Sequence, residues 1–197
     1  MTPDIHPFTL FLASIFTSNI LLANFLGMCS FISISKDMTS SNGLGMAVTG
    51  VLTLTSMINW VVLKYILIPL DLLYLRFIVF IVVIAATVQI LEMVIDRLSP
   101  SLYIALGIFL PLITVNCAIL GVSLFIEIRN YNFIQTASYA FGSGLGWWLA
   151  IMALSAIQKK IKNSPVPAGL EGPGITLVTI GFMAMAFIGF SGMLIVQ

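Results

Sequence analysis

The amino-acid sequence predicts an all-α integral membrane protein of six transmembrane helices, and three observations carry that expectation. Of its 197 residues, 60% are hydrophobic and only 8% are charged, against roughly 25% charged residues in an ordinary soluble domain. Mean hydropathy is +1.14. The formal charges are spaced so that five uncharged stretches each exceed the roughly 20 residues needed to cross a bilayer. These lie between Asp4 and Lys36, Asp37 and Lys64, Arg97 and Glu127, Arg129 and Lys159, and Glu171 and the final Gln197. Backbone groups cannot stay unpaired in lipid, and the chain lacks the ten-residue alternation of a membrane barrel, so the stretches are read as helices.

The first stretch has no basic region before it and no small-residue cleavage pattern after it, and it is read as a retained helix rather than a signal peptide. A further span, Leu72 to Ile95, carries Arg76 near its start and Glu92 near its end. Between them Phe77 to Leu91 is apolar except for Thr87 and Gln89, and charges at helix ends can reach the interface. A net charge of +1, with no basic cluster interleaved with aromatics, excludes a nucleic-acid surface. Lys36, Arg97, Lys159, Lys160 and Lys162 fall on one side of the predicted spans, and Lys64, Arg76 and Arg129 on the other. The positive-inside rule makes the five-residue side cytoplasmic and puts both termini outside the cytoplasm.

Divided near Pro100, the single membrane domain (1–197) splits into halves 1–100 and 101–197 with three spans each. An odd number of crossings makes the second half enter the membrane from the opposite side, the condition for an inverted repeat. The only two cysteines, Cys29 and Cys117, fall in the first helix of each half, and Gly43-Leu44-Gly45 and Gly144-Leu145-Gly146 in the second. Equivalent residues of inverted halves meet near the midplane. A straight helix from Phe8 would carry Cys29 about 30 Å, to the far interface. Asn24 and Gly27 before Cys29, and Pro111 and Asn116 before Cys117, would let each helix break short of that.

Two readings of the cysteines stand. Cysteine packs as a small hydrophobe and then needs no further role. Alternatively its thiolate ligates iron, as in iron–sulfur clusters, which usually take four sulfur ligands. Two cysteines are half of such a site, so the second reading requires a partner chain.

At these residues the chain resembles a known family. Phe25-Leu26-Gly27-Met28-Cys29-Ser30-Phe31, Leu106 through Gly121 with Val115-Asn116-Cys117 inside it, and Gln89-Ile90-Leu91-Glu92-Met93 are similar to the family that supplies two related membrane subunits to the sodium-pumping NADH:quinone reductase (Nqr) and to the Rnf complex. The likeness runs over nearly the whole chain. Gly142-Ser143-Gly144-Leu145-Gly146-Trp147 and Gly174-Ile175-Thr176 lean to the Nqr member, and the short loop Leu67 to Arg76 to the Rnf member. The resemblance implies a subunit of the bacterial inner membrane in which Cys29 and Cys117 each lend a thiolate to an intramembrane 2Fe–2S cluster, rather than to a mononuclear iron. A homologous sister subunit of opposite orientation would complete the shell. The implied role is relay of electrons across the membrane, coupled to Na+ movement in Nqr, or as part of a ferredoxin:NAD oxidoreductase in Rnf.

Other candidates carry less. Gly142 to Gly146 lacks the strand, helix and acidic residue of a dinucleotide fingerprint, and Gly142 and Gly146 are read as a small-residue packing face. Gly181, Gly189 and Gly192 suit a second helix seam. Trp60, Trp147 and Trp148 read as interface anchors, or for the last two as contacts with a partner. Gln89, Glu92 and Asp96 share one helix face that could line a cation entry, or Glu92 could simply reach the interface beside Arg97. The resemblance ties this acidic position to sodium. Asp71 and Glu127 are expected in loops. No acid–base pair, nucleophile or flavin-attachment pattern is evident, so neither NADH nor flavin is expected on this chain, and hydride chemistry would belong to other subunits. A small secondary transporter, also built on inverted repeats, is the competing class.

Overall fold

The computed structural model describes residues 6–35, 37–98, 113–162, 164, 169 and 172–189, without the side chains of Ile95, Asp96 and Leu98. Pro100, Pro111, Gly192 and Lys36 lie outside the described residues, as does the stretch from Leu106 to Leu112. Seven α-helices are described: α1 (Pro7–Ile15), α2 (Met28–Ile34), α3 (Met38–Val62), α4 (Arg76–Leu98), α5 (Cys117–Ile128), α6 (Phe133–Ile161) and α7 (Pro173–Ile188). A π-helical turn, Leu63–Leu67, prolongs α3, and a 3-10 turn, Leu73–Leu75, leads into α4. The chain is thus an all-helical membrane protein.

Among the described residues, three segments are long and apolar enough to cross a bilayer: Met38–Leu67, Leu73–Val94 and Phe133–Ile161. The first uncharged stretch contains no such helix, because it is broken. Pro7 opens α1, where its missing N–H is not needed, but the helix stops at Ile15. Asn19 holds the break. Its Nδ2 donates to the Ile15 carbonyl at 3.0 Å, and its Oδ1 accepts from the Leu21 and Leu22 amides at 3.1 and 3.3 Å. Buried backbone groups that lose helical partners are thereby satisfied. Ile20, Leu21 and Leu22 stay in the core, and left-handed Phe25 (φ 55°) and Gly27 (φ 86°) turn the chain into α2.

The second break is shorter. Ile113 and Thr114 are helical, Val115 and Asn116 are not, and α5 begins at Cys117. At 12 residues, α5 is about 18 Å long and does not span a bilayer. Asp37 starts α3, its Oδ2 accepting from the Ser40 amide at 2.9 Å and the Ser40 hydroxyl at 2.7 Å. Gln135 Oε1 accepts from the Asn132 amide at 3.0 Å where α6 begins.

The core forms where α6 packs against α3 and α1, with α5 against α3. Leu44, Val48 and Leu52 of α3 meet Trp147, Ala150, Ile151 and Leu154 of α6, with Ala118, Ile119 and Val122 of α5. Glycines set the approach. A Cβ on Gly142 would overlap the Ser14 hydroxyl, one on Gly146 would crowd Asn19 and Ile15, and one on Gly144 would lie 2.8 Å from the Thr49 Cα. The Gly142–Gly146 face therefore seats α1 on α6, and Gly144 on the opposite side of the helix seats α3. Gly45 receives the Trp148 ring in the same way. A Cβ on Gly181 would meet nothing within 4 Å among the described residues.

Helix α4 packs on the outside. Phe80, Ile84 and Val88 are buried at a four-residue spacing, while Ile78, Ile81 and Val82 are exposed. Gln158 joins three elements at the Lys159 end of the bundle: its Nε2 donates to Ser35 Oγ at 2.9 Å and to Thr176 Oγ1 at 3.1 Å.

Candidate metal centre

The two breaks meet. Gly27 caps α2 and Asn116 caps α5, so each cysteine lies in the first turn of a short helix that follows an interruption. The Gly27 amide donates to Cys117 Sγ at 2.9 Å. That contact joins residues 90 apart and brings the Cys117 sulfur to the backbone two residues before Cys29. Gly27 is needed there twice over. Its positive φ disfavours a side chain, and a Cβ would lie 2.8 Å from Trp147 Nε1 and 3.0 Å from Asn116 Oδ1.

Asn116, which is buried, ties the loops together. Its Oδ1 accepts from the Ala118 amide at 3.0 Å, capping α5, and its Nδ2 donates to Ser30 Oγ at 3.3 Å. Ser30 Oγ in turn donates to the Gly27 carbonyl at 3.1 Å. Trp147, fully buried, closes the back of the site. Its position corrects the expectation of an interface anchor: the ring packs edge-on to Phe31, 6.4 Å between centroids. Trp148 instead donates to Asn42 Oδ1 and Trp60 to the Tyr131 carbonyl.

Both cysteines are free and exposed, and so are Phe25 and Val115 in the two interruptions. They are not sealed in the core as small hydrophobes would be. Among the described residues no group of three or more His, Cys, Asp or Glu could hold a metal. The candidate donors are therefore two exposed soft sulfurs, that of Cys117 already accepting an N–H bond. This fits half of a four-sulfur iron site, in which N–H donors to sulfur are a recurrent tuning device.

The acidic face of α4 is less defined. Gln89 is exposed and Glu92 half-buried, and the Asp96 side chain is not among those described. A nearby groove of ≈ 440 Å³ is lined by Ile90, Met93, Val94 and Arg97 rather than by Gln89 or Glu92. Glu127, expected in a loop, occupies the last turn of α5, and its Oε1 accepts from Arg76 Nη1 at 2.7 Å. Sequence reading also missed Asn19. An asparagine in an apolar run is the only signal for either asparagine cap, and it was followed for Asn24 and Asn116 alone. Asn24 is exposed.

Comparison with known proteins agrees with the helical pattern. The family described as "Rnf-Nqr subunit, membrane protein" matches residues 7–194. The chain is similar to proteins described as the E subunit of Na(+)-translocating NADH-quinone reductase. It is 52% identical over 193 residues to that of Proteus mirabilis (strain HI4320), and 53% identical over 193 residues to those of Photorhabdus laumondii and Serratia proteamaculans (strain 568). In each case the match covers 95% of this chain and 98% of the relative.

Proposed function

The chain belongs to the Rnf-Nqr family of membrane subunits, and from that premise we propose that it is the E-type subunit of a bacterial Na+-translocating NADH-quinone reductase, holding half of an intramembrane 2Fe–2S cluster. The observation that carries the cluster reading is the Gly27 amide on Cys117 Sγ at 2.9 Å, at the meeting of two interrupted helices. The other two thiolates come from a homologous sister subunit of opposite orientation. When bound, such a cluster supplies a one-electron carrier within the hydrocarbon layer.

This chain's own residues build the seat. Gly27 donates to sulfur, Asn116 locks the two loops in register, and Trp147 keeps water from the rear of the site. The order of elements in 1–100 and 101–197 supports two inverted three-helix repeats. Each half has an interruption, a cysteine-led short helix, a long spanning helix and a third helix. Lys159, Lys160 and Lys162 face the cytoplasm and both termini the other side. Gln89, Glu92 and Asp96, on the cytoplasmic half of α4, form the cation entry. Hydride removal from NADH takes place on other subunits.

The 52–53% identity to Nqr subunits favours Nqr over Rnf despite the short Leu67–Arg76 loop. A secondary transporter would need a pocket lined by polar groups at the break. Asn116 and Ser30 are instead spent on each other and on the backbone, which leaves the buried Trp147 indole N–H as the unpaired polar group there. The test is the whole complex purified with Cys29→Ser or Cys117→Ser. Each variant is expected to lose the iron and paramagnetic signal of one cluster. Full iron content with an unchanged signal in either variant overturns the assignment.

A further inference from the structure

Trp147 is fully buried, and its indole N–H has no hydrogen-bond partner among the described residues. The other two tryptophans satisfy theirs: Trp60 Nε1 donates to the Tyr131 carbonyl at 2.8 Å and Trp148 Nε1 to Asn42 Oδ1 at 3.1 Å. Burying a donor without an acceptor is costly, and a phenylalanine ring would fill much of the same space without that cost. Packing therefore accounts for the ring at this position and not for its nitrogen.

That nitrogen lies against the cysteine site. Nε1 is the Trp147 atom nearest to the point where a Cβ on Gly27 would stand, at 2.8 Å. Asn116 Oδ1 and Ala118 Cβ, 3.0 and 3.1 Å from the same point, close the other sides. Gly27 is thus clamped between α6 and the start of α5, and its amide donates to Cys117 Sγ at 2.9 Å. Bond lengths then keep Nε1 within about 8 Å of that sulfur. Helix α6 makes a firm post for the clamp. It is 29 residues long, its Gly146 lies against Asn19 and Ile15, and the Trp147 ring also meets Phe31, two residues beyond Cys29.

A buried N–H dipole acts on nearby charge with little screening. N–H groups close to the sulfur ligands of an iron–sulfur centre favour its more negative, reduced form. We propose that Trp147 is a positioning residue that raises the reduction potential of the metal centre: its indole N–H braces Gly27, keeps the amide on Cys117 Sγ and adds a second positive dipole end beside that sulfur. The inference rests on the cluster reading of Cys29 and Cys117 and assigns the residue that tunes it.

A redox titration of the purified complex, followed by the paramagnetic signal of the cluster, tests it. Trp147→Phe is expected to retain iron and to lower the equilibrium constant for reduction at least threefold, about 28 mV for a one-electron couple. Replacement of Trp147 by benzothienylalanine, which keeps the two fused rings and puts a sulfur where the N–H was, should shift the potential in the same direction, and it serves where the smaller ring does not assemble. Trp148→Phe, whose N–H is already spent on Asn42, should leave the potential unchanged. An unchanged or raised potential in the benzothienylalanine complex overturns the proposal, even with lowered thermal stability, because a packing residue moves only the stability. A shift of equal size in Trp148→Phe overturns it as well. Absence from the unsubstituted complex of any signal that depends on Cys29 and Cys117 is a separate result, which would overturn the cluster reading itself and this inference with it.

Discussion

The sulfur of Cys117 sits 2.9 Å from the backbone nitrogen of Gly27, a residue fixed in the left-handed region at φ 86°. The whole site depends on that amide being aimed at the sulfur. Gly27→Ala places a Cβ against Trp147 Nε1 and Asn116 Oδ1 and adds left-handed strain, together about 1–3 kcal/mol. The expected outcome is a complex that assembles with reduced thermal stability and an altered signal from the proposed cluster. A variant with unchanged stability and spectrum would show that the loop tolerates a side chain, contrary to the packing around it.

Helix α6 supplies a second test, of packing alone. Gly144→Ala drives a Cβ to within 2.8 Å of the Thr49 Cα on α3, backbone that cannot swing aside, and should cost about 1–3 kcal/mol. Gly50→Ala and Gly181→Ala meet nothing within 4 Å and should be neutral or stabilising by up to about 1 kcal/mol, from helix propensity. Thermal melts of the purified complex measure the contrast. A destabilising Gly181→Ala would mean that this face of α7 is covered by another subunit.

These glycines mark what was legible in the sequence. Gly142 and Gly146, four residues apart, announced a helix seam, and the charge-free stretches announced the helices, because both are one-dimensional patterns. The breaks at Phe16–Gly27 and Val115–Asn116 were legible only as permission. Gly27 and Asn116 allow an interruption, but what enforces it is Asn19 gathering three backbone groups and Trp147 filling the space behind Gly27. Trp147 reads as an interface residue until the fold buries it. Glu127 was invisible for a similar reason: its partner Arg76 is 51 residues away, and no local spacing joins them.

That ion pair gives a third prediction. Arg76→Ala leaves the Glu127 carboxylate, only 12% exposed, without its counter-charge. Breaking a fully buried pair costs about 3–5 kcal/mol. Arg76 is itself 37% exposed, so about 1–3 kcal/mol is expected in a melt of the complex. Arg76→Lys should recover most of the loss. A stable Arg76→Ala complex would mean that another subunit or solvent supplies the donor.

Membrane orientation is testable without the complex being active. Reporter tags at either terminus should register outside the cytoplasm, and a tag within 159–172 inside it, following Lys159, Lys160 and Lys162. The reverse pattern would overturn the orientation.

The last prediction separates the cysteines' chemistry from their packing. Serine has nearly the same volume and keeps an acceptor for the Gly27 amide, so packing should survive the exchange at a cost within about 1–3 kcal/mol. Loss of function in a folded complex is then informative. Cys29→Ser and Cys117→Ser should each stop electron transfer to quinone, because serine offers a hard oxygen where a soft sulfur is needed. The double variant should be no worse than either single one, since a site missing one ligand is already lost and residues acting as a unit are not additive. NADH oxidation with artificial acceptors should continue in all three if, as proposed, hydride removal takes place on other subunits. Multiplicative losses in the double variant would mean that the two cysteines act separately, and undiminished quinone reduction in either single variant would leave them as exposed thiols without a metal.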